Sequence, residues 1–131
     1  MNLNVVNPWC WQDSLHFSHA VEAPAASRVV FLAGQTSVDS SGRPLYPGDM
    51  GAQLDRAFDN LEVVLEHAGL TLANLVRLNY YVTDMAAYAA ARGVVAARLG
   101  ALAAKPSGCL LGVSCLARPE LMVEIEATAV A

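Results

Sequence analysis

Apolar and polar positions alternate most plainly near the end of the chain, over Leu121–Val130. Successive side chains of a strand point to opposite faces. Val123, Ile125, Ala127 and Ala129 therefore share one face, and Met122, Glu124, Glu126 and Thr128 the other. An apolar run over Cys109–Leu116 precedes this strand. Ala117-Arg118-Pro119-Glu120 separates the two, because Pro119 cannot continue a ladder, so the spacing predicts a terminal hairpin. His16–Ala23 and Arg28–Ala33 are shorter β-type runs linked through Pro24, and they read as a first hairpin. Turn formers crowd Asp39–Pro44 and Tyr46–Gly48, which predicts a long surface loop after Gly34-Gln35.

The period then becomes helical. Leu54, Ala57, Phe58, Leu61, Val64, Leu65 and Ala68 recur at three- and four-residue spacing, one apolar stripe. Asp49 stands where a cap accepts orphan amide protons, and Gly69 where the helix ends. Leu75–Thr83 alternates as a strand, with Val76, Leu78, Tyr80 and Val82 on one face and Arg77, Asn79 and Tyr81 on the other. Asp84 caps a second helix whose stripe is Tyr88, Ala91, Val95, Leu99 and Leu102, with Gly100 near its end. The order ββαβαββ predicts an α+β domain with one mixed sheet and both helices on one face. The other face needs a cover, and a second copy of the chain is the expected one.

Length and composition narrow the picture. The 131 residues fit a single domain, residues 1–131, preceded over 1–13 by an extension expected to pack on it through Trp9 and Trp11. Hydrophobic residues make up 55% and charged residues 15%, ample for a core. No apolar run is long enough for a membrane span. A net charge of −4 without a basic cluster gives no reason to expect nucleic acid. The start lacks a secretory pattern, and Cys10, Cys109 and Cys115 show no metal or disulfide spacing. These features predict a cytoplasmic protein with free thiols.

Gly34-Gln35 after a strand, Gln53, Asp59-Asn60-Leu61, Ala68-Gly69-Leu70, the run VRLNYYVTD ending at Asp84, and Val123-Glu124-Ile125-Glu126-Ala127 together resemble the RidA (YjgF/YER057c/UK114) family over nearly the whole chain. The resemblance implies a chorismate-mutase-like fold, a homotrimer, and ligand pockets between adjacent subunits. It also implies hydrolysis of enamines and imines to 2-keto acids and ammonia, with no metal and no organic cofactor. The deaminases of that family grip the substrate carboxylate with an arginine in a Pro-Ala-Arg segment. Here the segment is Pro106-Ser107-Gly108-Cys109, so Gly108 stands at the arginine position. A pocket tyrosine corresponds to Phe17, and a second-helix asparagine to Arg92. The water-activating glutamate corresponds to Glu124.

The candidate set is therefore Glu124 as the catalytic group, with Phe17, Gly34, Tyr81, Arg92, Gly108 and Cys109 binding substrate and no metal ligand. Glu124 is expected to be more enclosed than Glu126, at a subunit boundary near Pro106–Cys109, where desolvation would raise its pKa for proton transfer. Arg92 is the candidate to supply the charge missing at Gly108. Cys109 reads either as a nucleophile or as a plain free thiol. His16 and His19 would fall on opposite faces of a strand, which excludes one shared metal site without a bend. Two function classes stay open. One is a metal-free hydrolase or tautomerase of an imine- or enamine-like metabolite, with an altered substrate. The other is a non-catalytic ligand-binding or interaction protein on the same trimeric scaffold.

Overall fold

A computed structural model describes residues 2–131. The strands are β1 (Asn4–Val6), β2 (Ala20–Glu22), β3 (Val29–Thr36), β4 (Leu75–Val82), β5 (Leu110–Gly112) and β6 (Val123–Val130). The helices are α1 (Met50–His67), α2 (Met85–Ala90) and α3 (Gly93–Leu99). A four-stranded mixed sheet has the order β3-β6-β4-β5, and β1 pairs with β2 in a separate ribbon. The α+β mixed sheet with its helical layer on one face matches the fold read from the sequence. No helix among the described residues is long and apolar enough to cross a membrane.

α1 forms where the stripe predicts. Asp49 accepts a hydrogen bond from the Ala52 amide at 3.0 Å, and Gly69 takes a positive φ of 74° just past the end. Leu54, Ala57, Phe58, Leu61 and Leu65 are completely buried, whereas Val64 stays exposed. Each large aliphatic or aromatic side chain so buried contributes roughly 1.5–3 kcal/mol. They meet Leu78, Val82, Val123, Ile125, Ala127 and Ala129 from the sheet. In β4 the inward series begins at Leu75 and not Val76, because a register shift between Leu75 and Arg77 resets the alternation.

Both predicted hairpins are absent. β2 pairs with β1, Val5 opposite Val21, and Asn4 Nδ2 donates to Glu22. β3 is claimed instead by the chain end: the Ser27 and Arg28 amides both donate to the Ala131 carbonyl at 2.8 Å, which sets Val29 opposite Val130. His16, at φ 59°, keeps the segment before β2 from being strand. At the other end β4 inserts between β5 and β6, antiparallel to β6 and parallel to β5. The apolar run from Cys109 shrinks to a three-residue edge strand. The connection back to β6 is held by Gln53. Its amide is buried, donates to the Tyr46 and Glu120 carbonyls, and accepts from the Met122 amide at 2.8 Å, so every polar atom is satisfied.

The second predicted helix is broken at Ala91-Arg92-Gly93 into α2 and α3. Tyr88, Val95 and Leu99 still face the core. Arg98 ties α3 to α1 through Asp55, Asp59 and Glu62, with Asp55 at 2.8 Å. Desolvation works against that charge, but the acceptors outweigh it and hold the guanidinium pKa above its ordinary value. The indoles of the N-terminal extension pack edge-on against Phe17 and His19 and stay largely open to solvent. Trp9 and Trp11 are 60% and 61% exposed, and Gln12 is the buried residue there.

Candidate functional site

The sequence-predicted site residues divide between the two faces of the sheet. Phe17, Arg92, Gly108 and Cys109 meet in a cavity of about 350 Å³ on the helix side, at the β5 edge. Gly34, Tyr81 and Glu124 lie on the opposite, open face. Gly34 belongs to β3 within a register shift between Leu32 and Gln35, and Tyr81 is directly across from Glu124.

On the open face a bulge is the organising device. The extra residue in β3 brings the Gly34 backbone beneath the Glu124 carboxylate. A Cβ at position 34 would stand 1.8 Å from Glu124 Oε1, so only glycine leaves room for the carboxylate. Glu126, one pleat along, is engaged differently. The Tyr81 hydroxyl and, at 3.1 Å, Asn79 Nδ2 donate to its Oε1. These bonds, Tyr81 first, hold the Glu126 carboxyl below its ordinary value, and the same bond raises the Tyr81 phenol. Both glutamates are half-buried in the protomer. Phe31, on the same face, is 82% exposed.

The cavity is built by β4, β5, the α2–α3 break and the N-terminal segment. Leu15, Leu78, Pro106 and Leu110 give it aliphatic walls, and Trp11 stands edge-on to Phe17, their ring centroids 5.7 Å apart. His19 packs edge-on against both Trp9 and Trp11, so the histidines serve different surroundings: His19 an aromatic cluster, His16 the cavity. His16 Nδ1 is enclosed without a hydrogen-bond partner among the described residues.

Gly108 contributes backbone alone. A Cβ there would lie 1.8 Å from the Leu78 carbonyl oxygen, with φ at 158°. Glycine is thus needed for the close approach of two backbone segments, whose ladder continues through Leu78 N to Ser107 O and Tyr80 N to Cys109 O, both 2.8 Å. Cys109 sits at the junction between the faces. Its amide donates to Asn79 Oδ1 at 3.0 Å, and Arg77 Nη2 lies 3.9 Å from its sulfur.

Two residues that the sequence reading assigned to the core also reach this cavity: Tyr80 and Tyr88. Burial pushes the Tyr88 phenol up to about 12, with the nearby Arg92 charge pulling back, and burial raises Tyr80 strongly. Both hydroxyls therefore remain protonated donors near neutral pH. Their signal in the sequence was a phenol at an otherwise apolar stripe position, where a buried hydroxyl needs a partner.

Comparison with known proteins agrees with this architecture. The family model described as endoribonuclease L-PSP matches residues 12–131. Protein DfrA of Myxococcus xanthus is 33% identical over 114 residues, 87% of this chain and 84% of that protein. A RutC family protein of Pyrococcus horikoshii is 31% identical over 108 residues, 82% of this chain and 83% of that one. Among solved structures, the Rid-family protein YyfB of Yersinia pestis superposes with a TM-score of 0.91 at 36% identity, covering 100% of both chains. Rv2704 of Mycobacterium tuberculosis, of the YjgF/YER057c/UK114 family, gives a TM-score of 0.67 at 30% identity, covering 99% of this chain and 100% of that one.

Proposed function

The chain belongs to the endoribonuclease L-PSP family, that of the RidA (YjgF/YER057c/UK114) and RutC proteins, and from that premise we propose a homotrimeric enzyme that hydrolyses or tautomerises a small imine or enamine. The cavity of one protomer is completed by Glu124 on the open sheet face of the next. The observation that carries this reading is the Glu124 carboxylate seated over Gly34. A carboxylate given space by a glycine in a bulge, on a face that also leaves Phe31 uncovered, fits a subunit boundary where a proton acceptor is wanted.

The reaction follows from that placement. Water bonds through oxygen to the imine carbon as its proton passes through Glu124 to the imine nitrogen. The new hydroxyl proton follows by the same carboxylate, the C–N bond breaks, and a ketone and ammonia leave. An enamine first gains a proton on carbon and loses one from nitrogen. A net charge of −4 supports a metabolite substrate over RNA. Gly108 in the cavity favours a substrate unlike 2-iminopropanoate, for which little turnover is expected. It also favours the second reading, a scaffold that binds a ligand without converting it.

Ammonia release from 2-imino acids generated in situ by an amino-acid oxidase decides between these readings. Acceleration over the spontaneous rate that disappears in Glu124→Gln supports the enzyme. Equal rates with wild type, variant and buffer leave the binding protein. Sedimentation tests the assembly: a trimer is expected, and Phe31→Asp, which buries a charge at that boundary, should release monomer.

A further inference from the structure

The cavity has a charge that the chain itself does not use. Arg92 sits at the break between α2 and α3, on the cavity wall. Its Nε donates to the Ala89 carbonyl at 3.3 Å, and this is its hydrogen bond among the described residues. The ion pairs formed among the described residues all belong to Arg98. The terminal nitrogens of Arg92 are thus left for something that enters. Tyr88 lines the same cavity, and the Arg92 charge acts on its phenol. The remaining lining is mostly apolar: Leu15, Phe17, Leu78, Pro106 and Leu110. A guanidinium fork recognises a planar carboxylate through two parallel bonds. A three-carbon acid held this way would leave most of about 350 Å³ of apolar wall unfilled.

We propose that this cavity takes a 2-keto or 2-imino acid with a bulky apolar or aromatic side chain, its carboxylate held by Arg92 with Tyr88 donating beside it and its body against the Leu15, Phe17 and Leu110 walls. Carboxylate recognition then comes from the helix break and not from the start of β5, where Gly108 leaves no room for a side chain. The inference rests on the cavity being the ligand site, as proposed above, but not on any turnover there.

Calorimetric titration of the intact oligomer with phenylpyruvate tests it, with pyruvate and the uncharged ketone phenylacetone as comparisons. Phenylpyruvate should bind saturably, and each comparison at least about tenfold more weakly, one lacking the charge-assisted contact and the other the apolar body. Arg92→Gln should weaken phenylpyruvate by about ten- to a hundredfold and leave phenylacetone unchanged, and Arg92→Lys should recover part of the loss. Tyr88→Phe should cost about three- to tenfold. Arg92 is exposed, so the substitution should fold, and circular dichroism checks this. Should it not fold, the wild-type contrast between phenylpyruvate and phenylacetone still decides. Undiminished binding by Arg92→Gln, pyruvate binding as tightly as phenylpyruvate, or no saturable phenylpyruvate binding at millimolar concentration each overturns the proposal. Arg92-dependent binding without ammonia release from any imino acid would sustain it and refute the hydrolase. Ammonia release with Arg92-independent binding would do the reverse.

Discussion

Gly34 and Gly108 present the same geometric statement with opposite meanings. At each, an added Cβ would stand 1.8 Å from an oxygen. At Gly34 that oxygen belongs to the side chain of Glu124, which can swing away. At Gly108 it is the main-chain carbonyl of Leu78, fixed between β4 and the segment leading into β5. The first glycine makes room for a carboxylate, and the second makes room for the fold. Position 108 is therefore closed to any side chain: the Leu78 backbone occupies the space a Cβ would need.

Substitution at Gly108 should give the largest effect. Gly108→Ala must push apart two hydrogen-bonded segments, and a loss of about 3 kcal/mol or more is expected in denaturant unfolding. Gly108→Arg should be at least as damaging and should not confer turnover of 2-iminopropanoate. A Gly108→Arg protein as stable as wild type would show that the two glycines are alike after all.

The Gly34 region should respond in activity before stability. If Glu124 moves the proton, Glu124→Gln keeps shape and oligomer but loses about a hundredfold or more in turnover, the range general acid–base groups supply. Gly34→Ala displaces the carboxylate without removing it. About tenfold lower turnover and at most about 1 kcal/mol of stability are expected, because the clashing atoms end a flexible side chain. Melting curves recorded beside the rates separate the two. A Gly34→Ala variant that unfolds like Gly108→Ala would erase the distinction drawn here.

The sequence made one of these glycines more legible than the other. The β6 alternation put Glu124 and Glu126 opposite Val123 and Ile125, and the α1 stripe located the core, because both signals are local periods. Strand partners are non-local, so an apolar run followed by a turn and another run looked like a hairpin although β4 lies between. The break at Arg92 was hidden because Ala91 and Gly93 do not interrupt an apolar stripe. The approach of Gly108 to Leu78 joins segments distant in sequence, and no spacing rule reports it. Tyr88 was correctly assigned to the inner face, but it also lines a cavity whose wall is completed by the folded N-terminal segment.

The smallest effect belongs to the neighbour of Glu124, and it sharpens the comparison through pH. The Tyr81 hydroxyl bonds Glu126, lowering the carboxyl below 4.5 and raising the phenol above 10.0. A depressed carboxyl pKa adds stability above its unfolded value that is lost as pH falls through the folded one. A raised phenol pKa adds stability below its unfolded value that is lost as pH rises through the folded one. The difference in stability between wild type and Tyr81→Phe should therefore be flat across neutral pH and shrink at both ends. It should stay at about 1 kcal/mol or less, since in the protomer the pair is only partly buried. The Gly108→Ala deficit, being steric, has no titrating group behind it and should not change with pH in the same way. Melting temperatures of the three proteins from acid to alkaline buffer check this. A Tyr81→Phe difference independent of pH would mean that the phenol contributes packing and not its bond to Glu126.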